Sequence, residues 1–156
     1  MQTFLPWGPD FKRNAETLDK KRLGKQRVEN LQIIKCLNGN SKGWSNHPAV
    51  KMWKGYEPAL YLYHHAICTQ WKSYGYKDTC LEKFELEMTD EQMAHFSSGK
   101  AIDMPPWIYD QAFADSHKSN LIRKDPSFYM VFFDGIISDD SMPYIWPAQK
   151  EDLINA

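Results

Sequence analysis

The chain has 156 residues, 42% hydrophobic and 25% charged, with a formal net charge of −1. That length suits one sizeable core and is short for two ordinary domains, and the near-neutral balance excludes a nucleic-acid binder that is basic overall. No apolar run reaches a membrane span, and Met1-Gln2-Thr3-Phe4-Leu5-Pro6 lacks the basic start and apolar stretch of a signal peptide, so a cytoplasmic protein without membrane association is expected.

In chain order, Met1 to Pro9 reads as extended, broken by Pro6, Gly8 and Pro9. Asp10 or Asn14 is placed to cap a helical region running toward Leu37, with Gly39 as its stop. Within it, Lys12 to Arg27 carries seven cations against Glu16 and Asp19, a local positive patch inside a neutral chain. Gly24 costs this helix about 1 kcal/mol relative to alanine, which marks a bend or a close approach by another backbone. Arg22, Gln26 and Glu29 follow i, i+4, i+7 spacing and share one face. A guanidinium, an amide and a carboxylate there suit a phosphodiester substrate, the arginine meeting phosphate and the carboxylate doing acid/base work. Arg27 falls among the apolar positions Leu23, Leu31 and Ile34, so it needs a partner; Glu29 or a bound anion is the candidate.

After the polar loop Asn38 to Asn46, His47-Pro48 leads to Lys51, Trp53 and Lys54. This stretch is either a substrate wall, with the ring on a base and the cations on phosphate, or an ordinary helix start with Trp53 in the core. The clearest helix runs from Pro58 to Gly75, with Ala59, Leu62, Tyr63, Ala66, Ile67, Trp71 and Tyr74 at three- and four-residue spacing. Residues 77–100 are ambiguous, with a short helix from Thr89-Asp90. Pro105-Pro106-Trp107 is a rigid break, and Asp110 to Arg123 is helical again. There His117, Asn120, Arg123 and Lys124 form a second polar cluster, either a reader of phosphate and base edges or a helix C-terminus whose cations meet the dipole. Ser127 to Phe133 is a short helix or strand, Asp134-Gly135 a turn, and an acidic tail occupies about 134–156.

Cys36, Cys68 and Cys80 are widely spaced and odd in number, which argues for reduced thiols. His64-His65 point about 100° apart on a helix and cannot bind a metal together. No metal or cofactor is expected. The pattern is that of a mainly α, single compact helical domain over 1–156 with irregular, aromatic-rich loops.

Taken together, Leu23 to Glu29, Asn46-His47-Pro48-Ala49-Val50, Ser116 to Leu121 and the aromatic Phe128 to Phe133 resemble the pyrimidine-dimer DNA glycosylase (endonuclease V-like) family, in a bacterial and phage branch. The likeness runs from Met1 to about Gly135. It implies a compact helical fold that kinks DNA, flips a nucleotide and cuts the N-glycosidic bond of a damaged or modified pyrimidine. It also implies attack on C1′ by the chain's α-amino group, with an AP-lyase step through a Schiff base, and an assisting glutamate at Glu29. α-Amino groups as a class lose their proton more readily than lysine, so roughly two orders of magnitude more of the nucleophilic form exists at neutral pH. Gln2 should hinder removal of Met1, so the amine would be that of Met1, carried on a bulky side chain, or would not be used at all.

The leading reading is therefore a metal-independent DNA glycosylase. Glu29, Met1 and Arg22 would be catalytic, and Gln26, Arg27, Lys25, His47, Trp53, Lys54, His117, Asn120, Arg123 and Lys124 would bind substrate. The alternative keeps the pocket without catalysis: a nucleotide or modified-base binding protein acting as sensor, sponge or accessory factor. A transferase or hydrolase acting on a modified base is the third reading. In each, the partner is DNA or a nucleotide-like ligand.

Overall fold

The structure, a computed structural model, describes residues 1–133, 135 and 142–147. The expected acidic tail and the Asp134 side of the expected turn lie largely outside the described residues. Among those described, every regular element is helical, as expected.

The single helix anticipated from Asp10 to Leu37 is two, α1 (Phe11–Thr17) and α2 (Lys20–Leu37). Asp10 caps α1, accepting from Arg13 N at 3.1 Å. The Thr17 hydroxyl then donates back to Arg13 O at 2.6 Å, and Leu18 turns extended. Asp19 restarts the helix by accepting from Arg22 N at 3.3 Å. Gly39 stops it at φ +80°, a conformation that favours glycine. Gly24 is explained by a side chain rather than a backbone: a Cβ there would lie 3.0 Å from two ring carbons of Trp71.

A one-turn helix, α3 (Pro48–Lys51), leads to α4 (Glu57–Ser73), which packs against α1, α2, α5 (Cys80–Glu87) and α6 (Asp90–Ser97). Its buried face is Ala59, Leu60, Tyr63, His64, Ile67 and Cys68, rotated from the expected stripe; Tyr74 is exposed. Cover from both α2 and α5 widens the buried sector enough to take in His64 and Cys68. The short helix expected from Thr89-Asp90 is α6, and its start carries a capping box, Thr89 accepting from Gln92 N and the Gln92 side chain reciprocating. Pro106–Tyr109 form a 3-10 turn, and α7 (Gln111–Lys124) and α8 (Pro126–Tyr129) pack on each other.

The leading segment positions everything else. Gln2 to Pro6 is extended and buried, with no strand beside it, threaded between α2, α4 and α7. Its backbone groups would be stranded without partners, at roughly 1–3 kcal/mol each. Side chains meet them instead. Phe4 N donates to Gln26 Oε1 at 3.2 Å, and Leu5 N to His117 Nδ1 at 2.9 Å. Gln26 Nε2 donates to Gln2 O at 2.7 Å, and the Tyr63 hydroxyl to Phe4 O at 2.7 Å. Trp53 Nε1 donates to Thr3 Oγ1 at 3.1 Å. Three helices thus hold one thread, whose free end emerges at Met1.

Candidate active site

Met1 emerges into a cavity of about 310 Å3. Lys21, Arg22, Lys25 and Glu29 of α2 form one wall, Met1, Gln2 and Phe4 the floor, and Lys124 and Tyr144 the far side. Four cations therefore surround one carboxylate. A larger cavity of about 380 Å3, lined by Glu57, Glu91, His95 and Asp103 among others, shares no residue with it and carries the wrong charge for a phosphate backbone. Charge, rather than size, selects the site.

Glu29 is half-buried at the junction of helix and thread. Its Oε2 accepts from Gln2 N at 3.4 Å, and its Oε1 lies 3.7 Å from Lys25 Nζ. The carboxylate is thereby held one residue from the amine of Met1. Arg22 is oriented by Asp19, Nη1 to Oδ1 at 3.2 Å, and Asp19 is itself bonded by the Tyr129 hydroxyl from α8. This chain fixes the guanidinium at the rim while leaving it donors to spare.

His47 stands close by without lining the cavity. Its Nδ1 accepts from Ala49 N at 3.0 Å, capping α3, and its ring sits edge-on to Trp44 and Trp146. Burial and the positive chain terminus hold its pKa below the usual histidine value, with Glu29 opposing. Electrostatically it belongs to the Met1–Glu29 neighbourhood.

Residues 1–84 match the family model for pyrimidine dimer DNA glycosylase, more than half of the chain. The chain belongs to the pyrimidine dimer DNA glycosylase family. No curated protein and no solved structure gives a significant match. The matched region carries the thread, α1 to α4 and the start of α5, hence Met1, Arg22 and Glu29 of the glycosylase-family cavity; Lys124 and Tyr144 lie beyond it.

The other residues anticipated from sequence divide by burial. Gln26 is 1% exposed, its amide spent on Phe4, Gln2 and Asn30. It lies beneath the Arg22–Glu29 face and positions the thread. The partner of Arg27 is Asp78 rather than Glu29: Nη1 meets Asp78 Oδ1 at 2.6 Å, and the guanidinium lies 4.3 Å from the centroid of Trp71. Burial alone would raise the Asp78 carboxyl, but the Arg27 contact and the Leu81 and Cys80 amides hold it below the usual carboxylate range. Trp53 is fully buried, stacked with Tyr63 and edge-on to Trp107, so it cannot stack on a base. His117 is fully buried, and desolvation pushes its pKa down to about 3. It serves the Leu5 amide, not a phosphate.

Asn120 and Arg123 act as fasteners. Asn120 Nδ2 and Arg123 Nη2 both donate to Met142 O, at 3.3 and 3.1 Å, and Ile145 N donates to Ser116 Oγ at 3.2 Å. These bonds lash residues 142–147 across α7 and bring Tyr144 to the cavity. Lys54 lines a separate cavity with Cys36, Ser45 and Asn46. Sequence reasoning missed Gln2, Phe4, Lys21 and Tyr144 as cavity residues. The signal for Tyr144 was a tyrosine and a tryptophan bracketed by Pro143 and Pro147, a short rigid stretch with rings to dock. Among the described residues no helix is long and apolar enough to cross a membrane.

Proposed function

We propose that this protein is a working DNA glycosylase with an associated lyase step, in which the α-amino group of Met1 is the nucleophile and Glu29 the acid/base group. The observation that carries the reading is the meeting of Met1, the Gln2 amide and Glu29 in one cation-rimmed cavity. Membership of the family supports a pyrimidine-dimer substrate. Nothing favours the non-catalytic binder, since a carboxylate placed against a nucleotide phosphate would weaken simple binding.

In this reading the neutral amine bonds C1′ as the bond from C1′ to the base breaks. The base parts from C1′ with the electron pair and takes up a proton from water, while the cyclobutane ring keeps it joined to its neighbouring pyrimidine. Glu29 accepts the proton lost from the amine nitrogen and passes one to O4′ as the sugar ring opens, which leaves an imine between the chain and C1′. Removal of a C2′ proton then expels the 3′ phosphate, cutting the strand. Lys21, Arg22, Lys25 and Lys124 hold the flanking phosphates, Arg22 as a planar fork and the lysines as point charges. Gln26, His117 and Tyr63 act only by holding the thread that carries the amine.

Borohydride trapping on a dimer-containing duplex and on an abasic duplex tests this. The expected result is a covalent adduct that maps to residue 1, confirmed as Met1 by intact mass, and that disappears when the α-amine is acetylated. Absence of an adduct on both duplexes, with no thymine freed on photoreversal of the treated dimer duplex, would overturn the reading.

A further inference from the structure

Two of the six tryptophans are exposed, and both meet the same imidazole. Trp44 is 50% exposed and Trp146 is 38% exposed. Each ring centroid lies 5.8 Å from that of His47, Trp44 inclined at 74° and Trp146 at 90°. Tryptophan is highly buried as a rule, and the other four here are buried or half-buried. Two exposed indoles that converge from distant parts of the chain need a reason that packing does not supply. Both are held from behind. His47 N donates to Trp44 O at 2.9 Å, and the Ser45 hydroxyl donates to Lys42 O at 3.2 Å, which folds the Trp44 loop onto itself. Trp146 sits on the strap whose Met142 carbonyl is gripped by Asn120 and Arg123 and whose Ile145 amide donates to Ser116. The rings are therefore ordered before any partner arrives. The surroundings are selective in charge. Residues 38–56 contain Lys42, Lys51 and Lys54 and no acid, and residues 142–147 contain no charged group, in a chain with 20 acidic residues. Tyr144, on the wall of the Met1 cavity, lies 5.9 Å from Trp146, so the patch continues the cation-rimmed cavity.

We propose that Trp44 and Trp146 form a stacking platform for an unpaired nucleobase of a DNA strand whose phosphates reach the neighbouring cationic rim. The inference rests on the proposed reading of the Met1 cavity as a DNA site. Every base presents a π-face, so an indole holds bases with little regard to sequence, while Lys42 and Lys51 offer positive charge to the backbone. An apolar protein face would cover the indoles but would also desolvate these lysines, which a phosphate backbone instead neutralises. His47 is the spacer between the rings, fixed in place because its Nδ1 caps α3.

The test compares two end-labelled single strands of equal length by fluorescence anisotropy, one of thymidylate and one of tetrahydrofuran abasic residues. They carry the same phosphates, and the tetrahydrofuran sugar has no aldehyde for an amine to attack, so binding is read without chemistry. The wild type should hold the thymidylate strand about tenfold more tightly. Trp44→Leu and Trp146→Leu should each cut that advantage about fivefold, whereas Trp44→Phe, which keeps a ring, should retain most of it. The salt slope should not change in any of them, since the phosphate contacts remain. Tyr109→Leu removes a ring that is 65% exposed beside Trp7 at a separate cavity, and should leave the advantage intact. Equal affinity of the wild type for both strands, or leucine variants that keep the full advantage, would overturn the proposal. So would a dimer in sedimentation that Trp44→Leu dissolves, which would assign the rings to a second copy of the chain. If borohydride trapping on the abasic duplex fails while the advantage appears, the catalytic reading falls and the platform stands. If trapping succeeds while the two strands bind alike, the platform alone falls.

Discussion

Gln26 Nε2 donates to the Gln2 carbonyl at 2.7 Å, while the oxygen of the same amide accepts from Phe4 N at 3.2 Å. One side chain of α2 therefore grips the leading segment at two points on either side of Thr3, three residues before Glu29 on the same helix. The grip sets the distance between the helix that carries the carboxylate and the thread that carries the amine. Gln26→Leu keeps the apolar volume but strands both backbone groups in the interior. We expect a loss of about 2–4 kcal/mol of stability in urea unfolding, at roughly 1–3 kcal/mol per unmet group. Adduct formation should fall further than the folded fraction does, because the amine loses its register. A variant that is as stable and as active as the wild type would refute this account of the thread.

Glu29→Gln should separate chemistry from binding. The amide can still accept from Gln2 N, so the thread stays in place. The proton acceptor is lost, and turnover should fall roughly a hundred- to ten-thousandfold, the usual range for a positioned acid/base group. DNA affinity should hold or rise, because a negative charge is removed from among four cations. Full activity in this variant, measured by single-turnover strand scission of the dimer duplex, would remove Glu29 from the mechanism.

Salt dependence should follow the cations that the fold leaves at the rim, not the cations present in the sequence. Lys21, Arg22, Lys25 and Lys124 surround the cavity, whereas Arg27 is committed to Asp78. With about −0.9 per phosphate contact, the slope of log K against log salt should be roughly −3 to −4. Lys124→Ala should flatten it by nearly one unit. Arg27→Ala should act on stability instead, costing about 3–5 kcal/mol because it leaves the buried Asp78 carboxylate unpaired. A slope near zero by fluorescence anisotropy would exclude the rim as a backbone contact.

The elements were largely legible because helices announce themselves through capping and period: Asp10 and the Pro58–Gly75 pattern needed no tertiary information. The break at Leu18 was hidden, since Thr17 and Asp19 look like ordinary helix-surface residues until their hydroxyl and carboxylate are seen bonding backbone. The site was half legible. Arg22 and Glu29 follow from helical spacing alone. Gln26 shares their face by spacing but lies under the thread, and a periodicity argument cannot see what covers a helix. His117 and Trp53 carry the residue types of a nucleotide site yet serve the interior, because an extended segment with no strand partner recruits polar side chains from three helices. Arg27 and Tyr144 depended on contacts 51 residues away and beyond the matched family region, which no local pattern encodes.

His117 accepts from Leu5 N through Nδ1, and His64 donates from Nε2 to Cys80 O at 3.1 Å. Burial pushes their pKa values down to about 3 and about 4, so both imidazoles are neutral in the folded protein. In the unfolded chain each titrates near 6.5. Between these limits the unfolded state binds more protons, so stability is full above pH 6.5 and is lost as the pH falls. The loss levels off only below about pH 4 for His64 and about pH 3 for His117. Each contributes at most about 1.4 kcal/mol per pH unit. Asp78, held below the usual carboxylate range, adds its own loss only at lower pH still. Urea midpoints measured from pH 7 to pH 4.5 should therefore drop steeply, with an uptake approaching two protons on unfolding. His117→Gln, whose side-chain oxygen can still accept from Leu5 N, should remove one proton from that uptake. A stability profile that is flat across this window would show that neither imidazole is buried in its neutral form.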